Sequence, residues 1–147
     1  MGLAEWLNRG TRLDVKLAGS GETVRSGTVY LAPEGMQMGI TNHGRIRLTD
    51  EPAEDGFRPS ATHLFHSVAE SCGRSAIGIL LTGMGRDGAS GLRRLRDTGA
   101  VTMVQDQETS VVFGMPAEAI RLGAAEYVLS PEQISATIRS LVTQGTR

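Results

Sequence analysis

Gly83, Gly85, Gly88 and Gly91 fall within the nine residues GMGRDGASG, and a single acid, Asp87, stands among them. The first six match G-x-G-x-x-G and follow the apolar run AIGILLT. Three chemistries fit this turn. In the first, backbone amides at a helix start cradle a diphosphate, and Asp106, eighteen residues beyond Gly88, takes a ribose hydroxyl. Asp87 opposes that reading, because a carboxylate would already occupy the positive end of the helix macrodipole. In the second, the glycines only permit a tight reversal and Asp87 caps the helix that follows. That leaves the crowding of glycines unexplained, since each loses more backbone entropy on folding than any other residue. In the third, Asp87 lies beyond the carboxyl end of a parallel strand, where open α/β sheets place their ligand crevices. A carboxylate there can hold a histidine in one tautomer and stabilise the imidazolium formed when a serine is deprotonated for acyl transfer.

The third chemistry needs a serine and a histidine. Ser20, in AGSGET, is the only serine between two glycines, but it follows the strand-like VKLA in a polar turn with no helix behind it, unlike a nucleophile elbow. His63 and His66 are three apart in an amphipathic helical pattern, with His63 beside the apolar side and His66 further outward. Both read as ordinary helix residues. His43 falls in the turn-prone NHG, where a histidine tolerates the left-handed conformation. No pair of histidines has an acid at helical spacing, so no metal site is expected, and no cofactor either. Cys72 is the only cysteine, which excludes an intrachain disulfide and a cysteine metal cluster.

The elements that would position Asp87 follow from the periodicities. Downstream of Ala76, short β-branched runs alternate with helical patterns, the signature of an α/β domain with a parallel sheet. AIGILLT reads as a buried strand, and DGASGLRRLRDTG as a helix with Ala89, Leu92 and Leu95 on one side and Gly99 as its stop. AVTMVQ and EYVL are further strands, with the short helix AEAIRLG between them. SPEQISATIRSLV closes the pattern as a helix, with Ser130 and Gln133 placed for a capping box and Ile134, Ile138, Leu141 and Val142 as its stripe. The first half differs. TVYLA, GMQMGI and RIRLT read as antiparallel strands joined at PEG and NHG. SATHLFHSVAESCG follows as a helix turning Leu64, Phe65, Val68, Ala69 and Cys72 inward, after the charged loop DEPAEDGFRP. LAEWLNRG has helical spacing but no visible cap, so the chain reads as starting inside an element.

Length and charge bound the classes. At 147 residues one domain is expected. Fifteen basic and 16 acidic side chains, a net charge of -1, offer nothing to nucleic acid or an anionic membrane. There is no membrane-length apolar run and no opening signal segment, and a cytoplasmic protein is expected.

The stretch ILLTGMGRDGASGLRRLRDTGAVTMVQDQETSVVFGMPAEAI strongly resembles the C-terminal part of the CheB-type protein-glutamate methylesterases of bacterial chemotaxis. VYLAPEGMQM, RPSATHLFHSVAE and LAEWLNRGTRLDVKLA are similar too, so the likeness runs from about residue 3 to 142. It implies a doubly wound, mainly parallel α/β sheet with an inserted antiparallel hairpin. It also implies a Ser-His-Asp hydrolase that removes methyl esters from chemoreceptor glutamates and deamidates receptor glutamines. Asp87 matches the triad aspartate, and Gly83, Met84 and Gly85 match the lip beside the active site. The family's G-x-S-T-G-G nucleophile turn and its H-M/I-P histidine stretch do not occur in this sequence. The resemblance thus implies a single partial catalytic domain over residues 1–147, N-terminally truncated relative to the family and without the receiver domain that many members carry. Alone, it is expected to be inactive. The implied partners are methyl-accepting chemotaxis receptors and a response-regulator receiver domain. A receptor- or regulator-binding remnant without turnover is the first alternative, and a nucleotide-binding module built on GMGRDG the second. Central strands left without neighbours would expose apolar surface and unpaired backbone groups, each costing on the order of 1 to 3 kcal/mol when buried.

Overall fold

In a computed structural model of the protein, which describes residues 2–145, the apolar run AIGILLT forms strand β5 (Ile77–Leu80). It is followed by α3 (Ala89–Asp97), β6 (Val101–Gln105), α4 (Met115–Arg121), β7 (Tyr127–Leu129) and α5 (Pro131–Gly145). The three strands make one parallel sheet in the order β5-β6-β7, with Ile77 opposite Val101 and Met103 opposite Tyr127. Alternation of strand and helix builds this sheet because a parallel neighbour can be reached only by a crossover. Leu80, Leu92, Val104, Ala119 and Ala124 form its core. Ala89, Leu92 and Leu95 of α3 are all buried, as their spacing predicts, and Gly99 ends the helix region with φ +96°. The capping box at α5 is formed: the Ser130 N–H donates to Gln133 Oε1 (3.0 Å) and the Gln133 N–H to Ser130 Oγ (3.3 Å).

The first half holds α1 (Leu3–Arg9), β1 (Asp14–Leu17), β2 (Thr28–Leu31), β3 (Gln37–Ile40), β4 (Ile46–Thr49) and α2 (Ala61–Ser71). Helix α1 starts after Gly2 with no side-chain cap. Strands β3 and β4 pair antiparallel as expected, but TVYLA does not join them. It is β2 and pairs parallel with β1, Val15 opposite Val29. Alternation marks a strand without naming its partner. Of the two turns that suggested a meander, only NHG closes a hairpin, with Gly44 at φ +71°. It is Gly44 and not His43 that takes the left-handed conformation there. Residues 18–27, between β1 and β2, lean on the hairpin through an antiparallel bridge from Thr23 to Arg45.

Helix α2 connects the two halves. Its Leu64 packs on Met38 and Ile46 of the hairpin, while Phe65 and Val68 pack on Leu95 and Ala100. Cys72, expected inward, is half-buried at the helix C-cap. The start of α2 lies hard against α3 at Gly91, where an added Cβ would sit 2.8 Å from Thr62 Cα and 2.9 Å from Thr62 O. Among the described residues no helix is long and apolar enough to cross a membrane.

Candidate active site

Gly88 and Gly91 explain where Asp87 goes. Gly88, not Asp87, is the N-cap of α3, with φ +91° and no side-chain capping bond. An added Cβ on it would meet Leu80 Cδ1 at 2.7 Å and Ala61 Cβ at 3.1 Å. Two side-chain-free positions therefore let the first turn of α2 settle onto the turn that precedes α3. The carboxylate of Asp87, expected at the start of its own helix, is instead held at the start of α2. Its Oδ1 accepts from Ser60 Oγ (2.7 Å) and from the Thr62 N–H (3.2 Å), and its Oδ2 from the Ala61 N–H (2.8 Å). A helix N-terminus leaves such donors unsatisfied and favours an anion, so the arrangement is one of mutual satisfaction. Asp87 is only 8% exposed, and its buried carboxylate is met by three donors.

Ser60, Gln37 and Thr62 complete the surroundings, and sequence reasoning missed all three. Ser60 is the N-cap of α2, its Oγ accepting from the His63 N–H (3.3 Å) while donating to Asp87. The Ser60 N–H donates to Gln37 Oε1 (2.9 Å), and the fully buried Gln37 amide donates onward to the carbonyls of Pro52 (2.9 Å) and Phe57 (3.3 Å). Thr62 Oγ1 accepts from the Gly88 N–H (2.8 Å) and donates to Asp55 Oδ2 (2.7 Å). The charged 50–59 loop is thereby fastened to the site. Two signals in the sequence mark these residues: a serine directly before an amphipathic pattern, and a glutamine inside the apolar strand GMQMGI.

A cavity of about 280 Å³ opens beside Asp87, lined also by Ala32, Met38, Pro59, Ser60, Ala61 and Leu64. It is largely apolar, with room for a ring side chain next to a carboxylate. On the other side of the turn lie Gly83, Met84 and Gly85, the residues expected to form a lip. Gly83 forms an isolated parallel bridge with Phe113: its N–H donates to the Val112 carbonyl (3.0 Å) and its carbonyl accepts from the Gly114 (3.1 Å) and Met115 (2.9 Å) N–H groups. Gly85 adopts φ +90°, and Met84 projects between them, 78% exposed.

The remaining candidates lie elsewhere. Ser20 is exposed in a turn, as expected. The His63 ring faces Glu51 (3.7 Å) and Glu54 (3.6 Å), and His66 faces Glu54 (3.5 Å). The Thr49 hydroxyl, helped by His63 and Arg47, holds the Glu51 carboxyl below its ordinary range against the opposing effect of burial. Neither histidine bonds to Asp87 among the described residues. Three amides of the turn that a diphosphate would use are occupied, Gly83 by Val112, Gly88 by Thr62 and Ala89 by Arg86. Asp106 accepts from Thr109 within its own loop rather than facing the glycine turn.

A parallel α/β sheet with a buried, helix-anchored carboxylate beyond the carboxyl end of a strand defines a class of domain able to orient a general base. Comparison with known proteins gives the family. The model described as CheB methylesterase matches residues 1–138, and the chain belongs to that family. A protein-glutamate methylesterase/protein-glutamine glutaminase of Geobacter metallireducens is 47% identical over 144 residues, covering 97% of this chain and 42% of that protein. A namesake from Nitrosospira multiformis is 49% identical over 143 residues, covering 97% and 40% respectively. The crystal structure of the Thermotoga maritima CheB methylesterase catalytic domain superposes with a TM-score of 0.90 at 34% identity, covering 95% of this chain and 75% of that one. The chain thus spans about 40% of the length of the curated relatives it matches.

Proposed function

We propose that these residues belong to a single catalytic domain, of which the chain is a part, and that Asp87 is the orienting acid of a Ser-His-Asp hydrolase acting on methyl esters of protein glutamate side chains. The observation that carries this reading is the setting of Asp87: buried, hydrogen-bonded by three donors at the start of α2, and bordering a cavity able to admit an imidazole. The histidine and serine come from the part of the domain that this chain does not span. The histidine donates one ring N–H to Asp87 and with its other nitrogen takes the serine hydroxyl proton as that oxygen attacks the ester carbonyl. The imidazolium returns the proton to the departing methoxide, releasing methanol. Water, deprotonated by the same histidine, then cleaves the acyl-enzyme and leaves free glutamate. With a glutamine substrate the leaving group is ammonia.

Gly83, Met84 and Gly85 form the lip against which the side chain bearing the ester lies. Methyl-accepting chemotaxis receptors are the substrate proteins, a response-regulator receiver domain is the regulatory partner, and the setting is the cytoplasm. The relatives' names, which specify a protein glutamate, support the substrate class.

The test is methanol release from methylated receptor by the full-length protein carrying these residues. Amidating the acid of such a triad lowers kcat by about 10⁴-fold, and Asp87→Asn is expected to do the same. Unaltered turnover would remove Asp87 from the mechanism. Receptor binding with no methanol release from the unsubstituted protein would instead identify a docking module.

A further inference from the structure

We propose that Ser60 is a positioning residue for the reaction, one that dictates which oxygen of Asp87 is offered to the histidine. This rests on the hydrolase reading of Asp87. Helix N-caps ordinarily use the hydroxyl only as an acceptor for an amide of the first turn. Ser60 does this weakly, at 3.3 Å from the His63 N, and sends its own proton to Asp87 Oδ1 at 2.7 Å. The Thr62 N–H reaches that same oxygen, so Oδ1 carries two donors and Oδ2 carries only the Ala61 N–H. A carboxylate oxygen has two lone-pair directions, so Oδ2 is the one with capacity left for an imidazole N–H.

Ser60 is itself held in register from a separate element. It is 3% exposed, and its N–H is fixed by Gln37, whose amide is clamped by two carbonyls of the 50–59 loop. Helix capping alone does not require a buried glutamine to fix the capping residue. Without the Ser60 hydroxyl, Oδ1 regains a free lone pair, the carboxylate can turn about its terminal bond, and both oxygens compete for the histidine. Hydrogen bonds to charged groups are worth about 1.5 to 3 kcal/mol, equivalent to roughly a tenfold to hundredfold change in rate if fully expressed in the transition state.

The experiment compares Ser60→Gly, Ser60→Ala and Ser60→Thr in the full-length protein, with methanol release from methylated receptor as readout. Glycine is tolerated at an N-cap, so Ser60→Gly removes the hydroxyl while sparing the helix start. Positioning predicts that Ser60→Gly and Ser60→Ala lower kcat by roughly tenfold or more with KM within about twofold. Ser60→Thr, which keeps the hydroxyl and suits the extended backbone at this position (φ -112°, ψ 134°), restores most of the rate. On an Asp87→Asn background the Ser60 substitutions add no further loss. Unchanged kcat per folded molecule, a loss confined to KM, or an additive loss on that background overturns the proposal.

If the unsubstituted protein hydrolyses nothing, the hydrolase reading fails, and positioning of the carboxylate is judged on the 147-residue chain by its amide NMR signals. Asp87→Asn then shifts the Ala61 and Thr62 amides strongly in the native background and much less in Ser60→Gly. Equal shifts in the two backgrounds refute it.

Discussion

Because Asp87 takes its hydrogen bonds from Ser60, Ala61 and Thr62, its worth to the fold can be measured apart from any catalysis. Every partner it has is a donor, and an asparagine must turn its own NH₂ toward at least one of them. A buried donor facing a donor costs about 1 to 3 kcal/mol, and for a chain near 150 residues each kcal/mol shifts Tm by about 2 to 4 °C. Asp87→Asn is therefore expected to lower Tm by several degrees in the 147-residue chain, and calorimetry or a circular dichroism melt reads it directly. An unshifted Tm would mean that α2 does not hold the carboxylate. At this scale the acid was legible in the sequence and its holder was not. Spacing along GMGRDGASG shows that an acid precedes a helix, but two helix starts compete for it. The winner is decided by how closely α2 and α3 approach, which no local pattern records. Gln37 and Ser60 were hidden for the same reason, since each acts on a residue far away in sequence.

The approach of α2 to α3 is set by Gly91, and this gives an element-scale prediction. Alanine would gain up to about 1 kcal/mol in helix propensity over glycine, but its Cβ would meet two backbone atoms of Thr62 at under 3 Å. Backbone cannot swing aside as a side-chain tip can, and overpacking of this kind costs about 1 to 3 kcal/mol. Gly91→Ala is expected to be destabilising on balance in a thermal melt, and to lower turnover as well by moving the Ala61 and Thr62 amides off Asp87. A stabilised Gly91→Ala would show that the helices have room to spare. The crossover between β1 and β2 offers a second case. Lys16 bonds to Glu22, whose carboxylate also accepts from the Gly19 N–H, and these contacts hold the Glu22 carboxyl below its ordinary value of 4.5. Since the folded value lies below the unfolded one, the contact adds stability above about pH 4.5, and this is lost as pH falls through the lower folded value. Glu22→Gln should therefore be somewhat less stable at pH 7 and lose less on acidification, in melts taken at successive pH values. Elements themselves were well read from the sequence: β5, α3, β6, α4, β7 and α5 stand where the periodicities put them. The partner of β2 was not, because strand alternation is indifferent to direction and the residues that decide it, Asp14–Leu17, carry no turn signal.

At the scale of the whole molecule, the parallel strands fall into two groups, β1-β2 and β5-β6-β7, that share no ladder among the described residues. Parallel sheets are normally covered on both faces, yet Leu3, Trp6 and Leu17 are 61%, 64% and 57% exposed. A mainly apolar cavity of about 610 Å³ lies among Trp6, Leu7, Leu13, Val15 and Val29. The Thermotoga maritima domain has a quarter of its length unmatched by this chain, and a face of this kind is where the rest of such a domain has apolar surface to bury. Trp6 is the sole tryptophan, so its fluorescence reports on that face alone. In the isolated 147-residue chain its emission should be that of a hydrated indole, readily quenched by acrylamide, and the chain should bind a hydrophobic dye. When a segment equivalent to the unmatched quarter of the Thermotoga maritima domain is joined to the chain, emission should move to shorter wavelength, quenching should fall and Tm should rise together, because one burial event drives all three. A rise in Tm with Trp6 still fully quenchable would place the added segment against β5 and Asp87 but not against α1. A blue-shifted Trp6 in the isolated chain, lost on dilution, would show that second copies of the chain cover the face instead.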